Sequence, residues 1–121
     1  MIEPIPLPLD NVVGFRIDGK INADDISRVE DVIEMRLNRH PKLRVYAEVE
    51  RFSGMSAAAF LKDISFSLRH LRHFEREAIV SDTAWLKKLA NIGERIFPSI
   101  EVRHFAKSEK DKALEWIIEW K

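Results

Sequence analysis

Hydrophobic and polar residues alternate along 43–50, which is the pattern of a β-strand with one face toward a core. The apolar side holds Leu43, Val45, Ala47 and Val49, and the other side holds Arg44, Tyr46, Glu48 and Glu50. We therefore predict a strand whose polar side faces water. After Phe52 the pattern changes at Ser53-Gly54, which we interpret as a short turn. Apolar residues then recur at three- and four-residue steps, which predicts a long helix buried through Leu61, Ile64, Leu68 and Leu71 and ending near Glu75.

The remaining segments predict further strands and helices on both sides of this stretch. Residues 1–9 alternate with prolines, which cannot donate to a strand ladder, so they form an edge strand at best. It pairs as a hairpin with a second strand over 12–21. The later pattern predicts a strand at 76–82, a helix at 83–97, a strand at 100–106 and a final helix after it.

Capping residues mark where two of the helices begin. Asn22 is a favourable N-cap followed by two aspartates, and the first helix it starts would bury Ile26, Val29, Val32, Ile33 and Leu37. Ser108 with Asp111 has the spacing of a capping box, and the last helix would dock through Ala113, Leu114, Trp116, Ile117 and Trp120. The predicted fold is α/β, with a mixed sheet of about five strands, an N-terminal antiparallel hairpin and about four helices.

Composition narrows the class of protein. The 121-residue chain is 45% hydrophobic and contains no linker-like segment, so it fits a single domain over 1–121. Its 20 acidic side chains balance 20 basic ones, so we do not expect nucleic acid as a partner. The absence of cysteine suits a reducing compartment. The N-terminus lacks the features of a signal peptide, and no apolar run approaches the roughly 20 residues needed to cross a bilayer. We expect a cytoplasmic protein that could touch the inner membrane without crossing it.

The sequence contains none of the common catalytic, dinucleotide, phosphate-binding or metal-ligand motifs. One polar group nevertheless stands out, because Ala59, Asp63, Phe66, His70 and His73 fall on one side of the second predicted helix. Asp63, His70 and His73 could bind the polar head of a ligand. The alternative is a solvated or dimer-facing strip, since this spacing does not complete a metal site. A hydrolase using either histidine would lack a partnered nucleophile, so we expect no enzyme, metal or cofactor.

Two other candidates are Ser56 and the helix predicted over 83–97. Ser56 could be a simple helix cap, or a regulatory site where a phosphate would meet backbone N–H groups and the helix dipole. The 83–97 helix has a wide apolar side and lysines on its polar side, so it could cover an apolar cavity or lie on a membrane; an ordinary core helix has the same pattern. Trp85, at its first turn, follows a strand end, where open α/β sheets bind ligands.

Three segments together resemble the SpoIIAA-like bacterial family, which is related in fold to STAS domains and to lipid-binding CRAL-TRIO domains. They are VVGFRIDGKINADD, the central strand followed by SAAAFLKDISFSLRHLRHFEREAIVSDTAW, and the ending IEVRHFAKSEKDKALEWI. The resemblance implies a STAS-like fold, often dimeric, without an established catalytic activity. It also implies an apolar pocket between helices and sheet. In STAS antagonists a regulatory serine begins the helix after the central strand; Ser56 is the nearest match here, although the usual preceding aspartate is missing.

Our leading hypothesis is a non-enzymatic homodimer that binds an apolar or lipid-like ligand between the second and third predicted helices, with possible membrane association. The ligand-lining residues would be Phe60, Ile64, Trp85, Leu89, Ile92 and Phe97. The alternative is a STAS-type regulatory protein-interaction module that docks a kinase-like or sigma-control partner through residues 53–56.

Overall fold

Five strands form one mixed sheet, in the order in which they occur along the chain. The computed structural model describes residues 1–82, 84, 91 and 99–119. β1 pairs antiparallel with β2, and the other three pairings are parallel. The predicted mixed α/β sheet with its N-terminal hairpin is confirmed. The strands are β1 (Ile2–Ile5), β2 (Val12–Ile21), β3 (Leu43–Met55), β4 (Phe74–Val80) and β5 (Glu101–Phe105).

Three α-helices and two 3₁₀ turns lie in the described part of the chain. The helices are α1 (Ala23–Leu37), α2 (Ala57–Arg69) and α3 (Lys110–Ile118). α3 corresponds to the last of the four predicted helices. The helix predicted over 83–97 lies outside the described residues, apart from 84 and 91.

The start of α1 follows the prediction, and the start of α3 does not. The Asn22 side chain accepts from the Asp25 N–H at 2.9 Å, and the Asp25 carboxylate accepts from the Asn22 N–H at 2.9 Å. A 3₁₀ turn precedes α3, and there Glu109 accepts from the Ala106 N–H at 3.0 Å. Ser108 lies inside that turn and forms no cap, so the predicted capping box was wrong. Ala113, Trp116 and Ile117 are buried as expected.

The polar side of β3 is buried, so the prediction of a strand with one wet face was wrong. Arg44 is 9% exposed and Glu48 is 5% exposed, because α3 packs over this face. Arg44 donates to the carbonyl oxygens of Ile117 (3.0 Å) and Glu119 (2.7 Å). Arg76 on β4 donates to that of Trp116 at 2.8 Å. The two arginines thus satisfy carbonyls that the end of a helix leaves without partners.

α2 is turned so that its expected outer stripe faces inward. Ala59 and Phe66 are buried, whereas the stripe predicted to form the core is largely exposed: Leu61 at 65%, Ile64 at 40% and Leu68 at 54%. The helix carries two apolar stripes, and periodicity alone does not say which one meets the sheet. The small Ala59 side chain lets α2 pack closely against Ile21 and Ile26.

The connection between β3 and α2 differs from the predicted turn. Residues 53–55 continue β3 and pair with the end of β2, where the register is irregular. Gly54 has φ +126° and Gly19, opposite this irregular stretch, has φ +79°, conformations that favour glycine. The Ser53-Gly54 turn is therefore a strand end. α2 also ends at Arg69, earlier than predicted, and β4 begins at Phe74.

Candidate functional site

A cavity of about 580 Å³ lies between α1, α2 and one face of the sheet. Its size falls within the range of about 300–1,000 Å³ typical of small-molecule sites. The sheet supplies its floor through Phe15, Ile17, Val45, Ala47, Val49 and Ile79. The helices supply its roof, mainly through Ile26, Val29, Ile33, Phe66 and Leu71.

The floor of the cavity has its smallest side chain at the centre. Phe15, Ala47 and Ile79 are aligned across β2, β3 and β4. Alternation along each parallel strand points them to the same face. An alanine between two larger side chains leaves space that the helices above do not fill. The central strand β3 therefore contributes both to the floor of the cavity and to the empty space above it.

Three carboxyl groups interrupt this apolar lining. Glu30 comes from α1, Asp63 from α2 and Glu77 from the middle of β4. The Lys62 ammonium lies 3.4 Å from a Glu30 carboxylate oxygen. The other Glu30 oxygen is buried and has no hydrogen-bond partner in the described part of the chain. The lining of the cavity is thus mostly apolar, with three acidic side chains.

The cavity changes how two of these groups titrate. Burial, followed by repulsion from Asp63, raises the pKa of Glu77 to about 7. Glu77 keeps some accessible surface because it lines the cavity, although protein surrounds it. Asp63 is exposed at the cavity mouth, yet loss of hydration and then repulsion from Glu30 raise its pKa. Both groups hold a proton more readily than a carboxyl in water.

The predicted ligand-lining residues are only partly in the described chain. Phe60 lines the cavity and is 53% exposed, so it stands with Asp63 at the opening. Ile64 is on α2 but is not part of the lining. The described part of the cavity lies under α1 and α2; the 83–97 segment, which the prediction placed against α2 at the ligand, lies outside the described residues except at 84 and 91. Four other predicted residues lie outside the described part: Trp85, Leu89, Ile92 and Phe97.

His70 and His73, which follow the end of α2, lie near the cavity without forming part of its lining. Their ring centroids are 5.5 Å apart, and the His70 ring lies 4.5 Å from that of Phe66. Burial lowers the pKa of His70, which favours its neutral form. In the described part of the chain, no group of His, Asp or Glu side chains is arranged to hold a metal ion.

Ser56 occupies the N-cap of α2. Its hydroxyl oxygen accepts from the Ala59 N–H at 3.1 Å, and its own N–H donates to the Ile21 carbonyl at 2.9 Å. It is half-buried, and Ser53 two residues inside β3 is exposed. The structure therefore places Ser56 at the start of the helix that follows the central strand.

Glu30 and Glu77 were missed by the sequence reasoning. Glu77 carried a signal, because it interrupts a short apolar strand and shares the side of that strand that holds Ile79. Glu30 falls next to Val29 on a helix whose polar face already holds several acids, so nothing in the sequence distinguished it.

A family model described as SpoIIAA-like matches residues 12–118. The chain belongs to the SpoIIAA-like family. That match includes β2 to β5 and all three α-helices described above. No curated protein sequence matches the chain.

Two solved structures have a similar fold. An uncharacterized protein with a SpoIIAA-like fold from Shewanella loihica PV-4 is 22% identical, with a TM-score of 0.79 over 97% of this chain and 92% of that one. The anti-sigma factor antagonist SpoIIAA in its unphosphorylated form is 11% identical, with a TM-score of 0.61 over 95% of this chain and 98% of that one. Both similarities concern the fold.

Helices of the described segments are too short or too polar to cross a membrane.

Proposed function

We propose that the protein is a non-enzymatic regulatory module that binds a protein partner through the junction between β3 and α2. Membership of the SpoIIAA-like family supports this, as does the fold shared with an anti-sigma factor antagonist. The observation that carries the proposal is Ser56 at the N-cap of α2, beside the exposed Ser53. A phosphate at a helix N-terminus meets free N–H groups and the positive end of the dipole. Modification there would change the charge of this surface without requiring the helix to unfold.

Two serine-to-aspartate substitutions on the same helix test this module. Ser56→Asp adds a negative charge but keeps a good capping side chain, so α2 is expected to remain intact. Ser65→Asp makes the same exchange at an exposed position further along α2, away from the junction, and serves as the control. We expect affinity capture to recover a kinase-like or sigma-control protein with wild type and Ser65→Asp, and to lose it with Ser56→Asp. Recovery that is equal with all three proteins would contradict docking at this junction.

The cavity supports a second candidate function, the binding of an apolar ligand. Burying methylene groups contributes about 0.8 kcal/mol each, so a medium-length acyl or alkyl chain can offset a sizeable cost of association. A membrane surface could deliver such a ligand, and the homodimer expected from the family resemblance is part of the same proposal. Native mass spectrometry and organic extraction of purified protein should show a bound amphiphile. Liposome flotation checks the membrane, and light scattering checks the dimer. Absence of any amphiphile, together with no flotation, would remove this candidate.

A further inference from the structure

Apart from the hydroxyl of Ser67, the polar side chains that line the cavity in the described part of the chain are all carboxyl groups. Glu30, Asp63 and Glu77 project from three different elements, so their convergence is not a consequence of one acidic helix face. The rest of the lining is almost wholly apolar. A binding site of this composition recognises an apolar body with one polar end.

Glu77 is the group that most needs an explanation. It lies in the middle of β4, and its carboxyl group takes part in none of the side-chain hydrogen bonds or ion pairs among the described residues. A carboxyl group against a mostly apolar lining is costly, because it loses part of its hydration and gains no partner in exchange. An isoleucine at the same position would extend the apolar floor that Ile79 already continues. The acid is therefore better suited to a ligand than to the unoccupied protein.

The charge around Glu77 remains negative. The Lys62 ammonium pairs with Glu30. The Asp63 carboxylate is repelled by Glu30 and in turn repels Glu77. His70, the residue after α2, interacts with Glu34 and less strongly with Glu30 of α1, but burial favours its neutral form. A second carboxylate brought here by a fatty acid would meet repulsion. A cation would instead relieve the repulsion between Asp63 and Glu77.

We propose that the cavity binds an amphiphilic amine, with its alkyl body over the Ala47 floor and its protonated amino group between Asp63 and Glu77. This inference rests on the second candidate function, ligand binding in the cavity. To that function the proposal adds the chemical class of the ligand's head group. An ammonium group donates hydrogen bonds to carboxylates, and such charged bonds are stronger than neutral ones.

Three probes of equal chain length separate the head group from the tail. Decylamine, decanol and decanoate are titrated into delipidated protein below their aggregation limits, with binding measured by calorimetry. We expect decylamine to bind about tenfold or more tightly than decanol, and decanoate to bind most weakly. Decanoate or decanol binding as tightly as decylamine would overturn the amine proposal and leave ligand binding intact. No binding of any probe would overturn both.

Three variants test whether the carboxyl groups of the cavity cause the preference for the amine. Glu77→Gln and Asp63→Asn should each weaken decylamine binding about tenfold while leaving decanol binding unchanged. Glu34→Gln, on an exposed position one turn after Glu30, removes the same charge away from the cavity and should change neither. Equal losses of amine and alcohol binding would indicate a damaged cavity and contradict head-group recognition, as would an effect of Glu34→Gln on the amine alone.

The pH dependence of binding provides a further test. Decylamine should bind more weakly near pH 5 than near pH 8, because Glu77, whose pKa is raised to about 7, is largely protonated at the lower pH. Decanol binding should be independent of pH. Glu77→Gln should reduce this pH dependence. The same dependence for decanol and decylamine would contradict the proposal.

Discussion

The two faces of the sheet show that side-chain polarity and packing are separate properties. The face under α3 carries Arg44, Glu48 and Arg76, yet these residues are at most 9% exposed. The face under α1 and α2 is apolar, yet it encloses a cavity of about 580 Å³. Charged groups are buried where hydrogen bonds and ion pairs meet them, and apolar groups remain unpacked where no side chain fills the space.

Residue size explains much of this difference. Ala78 and Gly14 lie on the packed face, where they let α3 and the segment after β1 approach closely. A Cβ at Gly14 would lie 2.9 Å from the Leu7 Cδ1 and 3.0 Å from the Ile5 carbonyl oxygen. Trp116 then covers this face, with the Arg76 guanidinium 4.9 Å and the Arg103 guanidinium 5.0 Å from its ring centroid. On the hollow face, Ala47 lines the cavity.

Trp116→Ala is expected to have the largest effect on stability. Trp116 is 6% exposed and anchors α3 through its ring, so its loss should lower the free energy of unfolding by about 3–5 kcal/mol. Phe60→Ala, at the mouth of the hollow face and 53% exposed in the native protein, should cost less than about 1 kcal/mol. Urea denaturation of both variants measures the difference. Similar costs would mean that the two faces are packed alike.

Glu77→Gln should stabilise the ligand-free protein at neutral and higher pH. The pKa of Glu77 rises from 4.5 to about 7 on folding, so between these values the folded protein holds a proton that the unfolded chain has released. Wild type therefore loses stability as pH rises through this window, by up to about 3 kcal/mol, and the variant does not. Denaturation curves near pH 4.5 and pH 8 measure this difference, with Glu34→Gln as control. Parallel pH profiles for wild type and Glu77→Gln would contradict burial of an unpaired acid.

Two alanine-to-leucine substitutions compare the faces most directly. Ala78 is 1% exposed beneath α3, so Ala78→Leu should overpack that side and cost about 1–3 kcal/mol. Ala47→Leu projects into the cavity and should change stability by less than about 1 kcal/mol while abolishing decylamine and decanol binding. Thermal melts and the same calorimetric titrations measure both effects. Equal destabilisation by the two substitutions would show that the space above Ala47 is not available.

The fold was more predictable than the site, for reasons visible in particular residues. Asn22 and the alternation along β2 and β3 act locally, so the elements they define follow from sequence. The burial of Arg44 depends on carbonyls at the end of α3, 73 residues further along the chain at Ile117. The orientation of α2 depends on Ala59 fitting against α1, which two competing apolar stripes did not reveal.

The cavity is lined by residues from several strands and helices, so it depends on how these elements pack together. Phe60 and Asp63 were singled out from the sequence, but their place at the mouth of a cavity that Glu77 lines from β4 depends on how the elements pack together. Ala47 was assigned to the apolar side of its strand, and its small size gave no indication of a hollow until the helices above were known. Asp63 was therefore named from the sequence as a polar candidate, whereas Glu77 was missed because the cavity that it lines is built from several elements.

The sequential order of the strands has a consequence for how the chain folds. Each strand pairs with the one made just before it, so the sheet can grow in the order of synthesis. Arg44 and Arg76 are different, because the carbonyls they bind belong to the last helix. Docking of that helix is expected to be the late event that converts a growing, half-hydrated sheet into the native molecule.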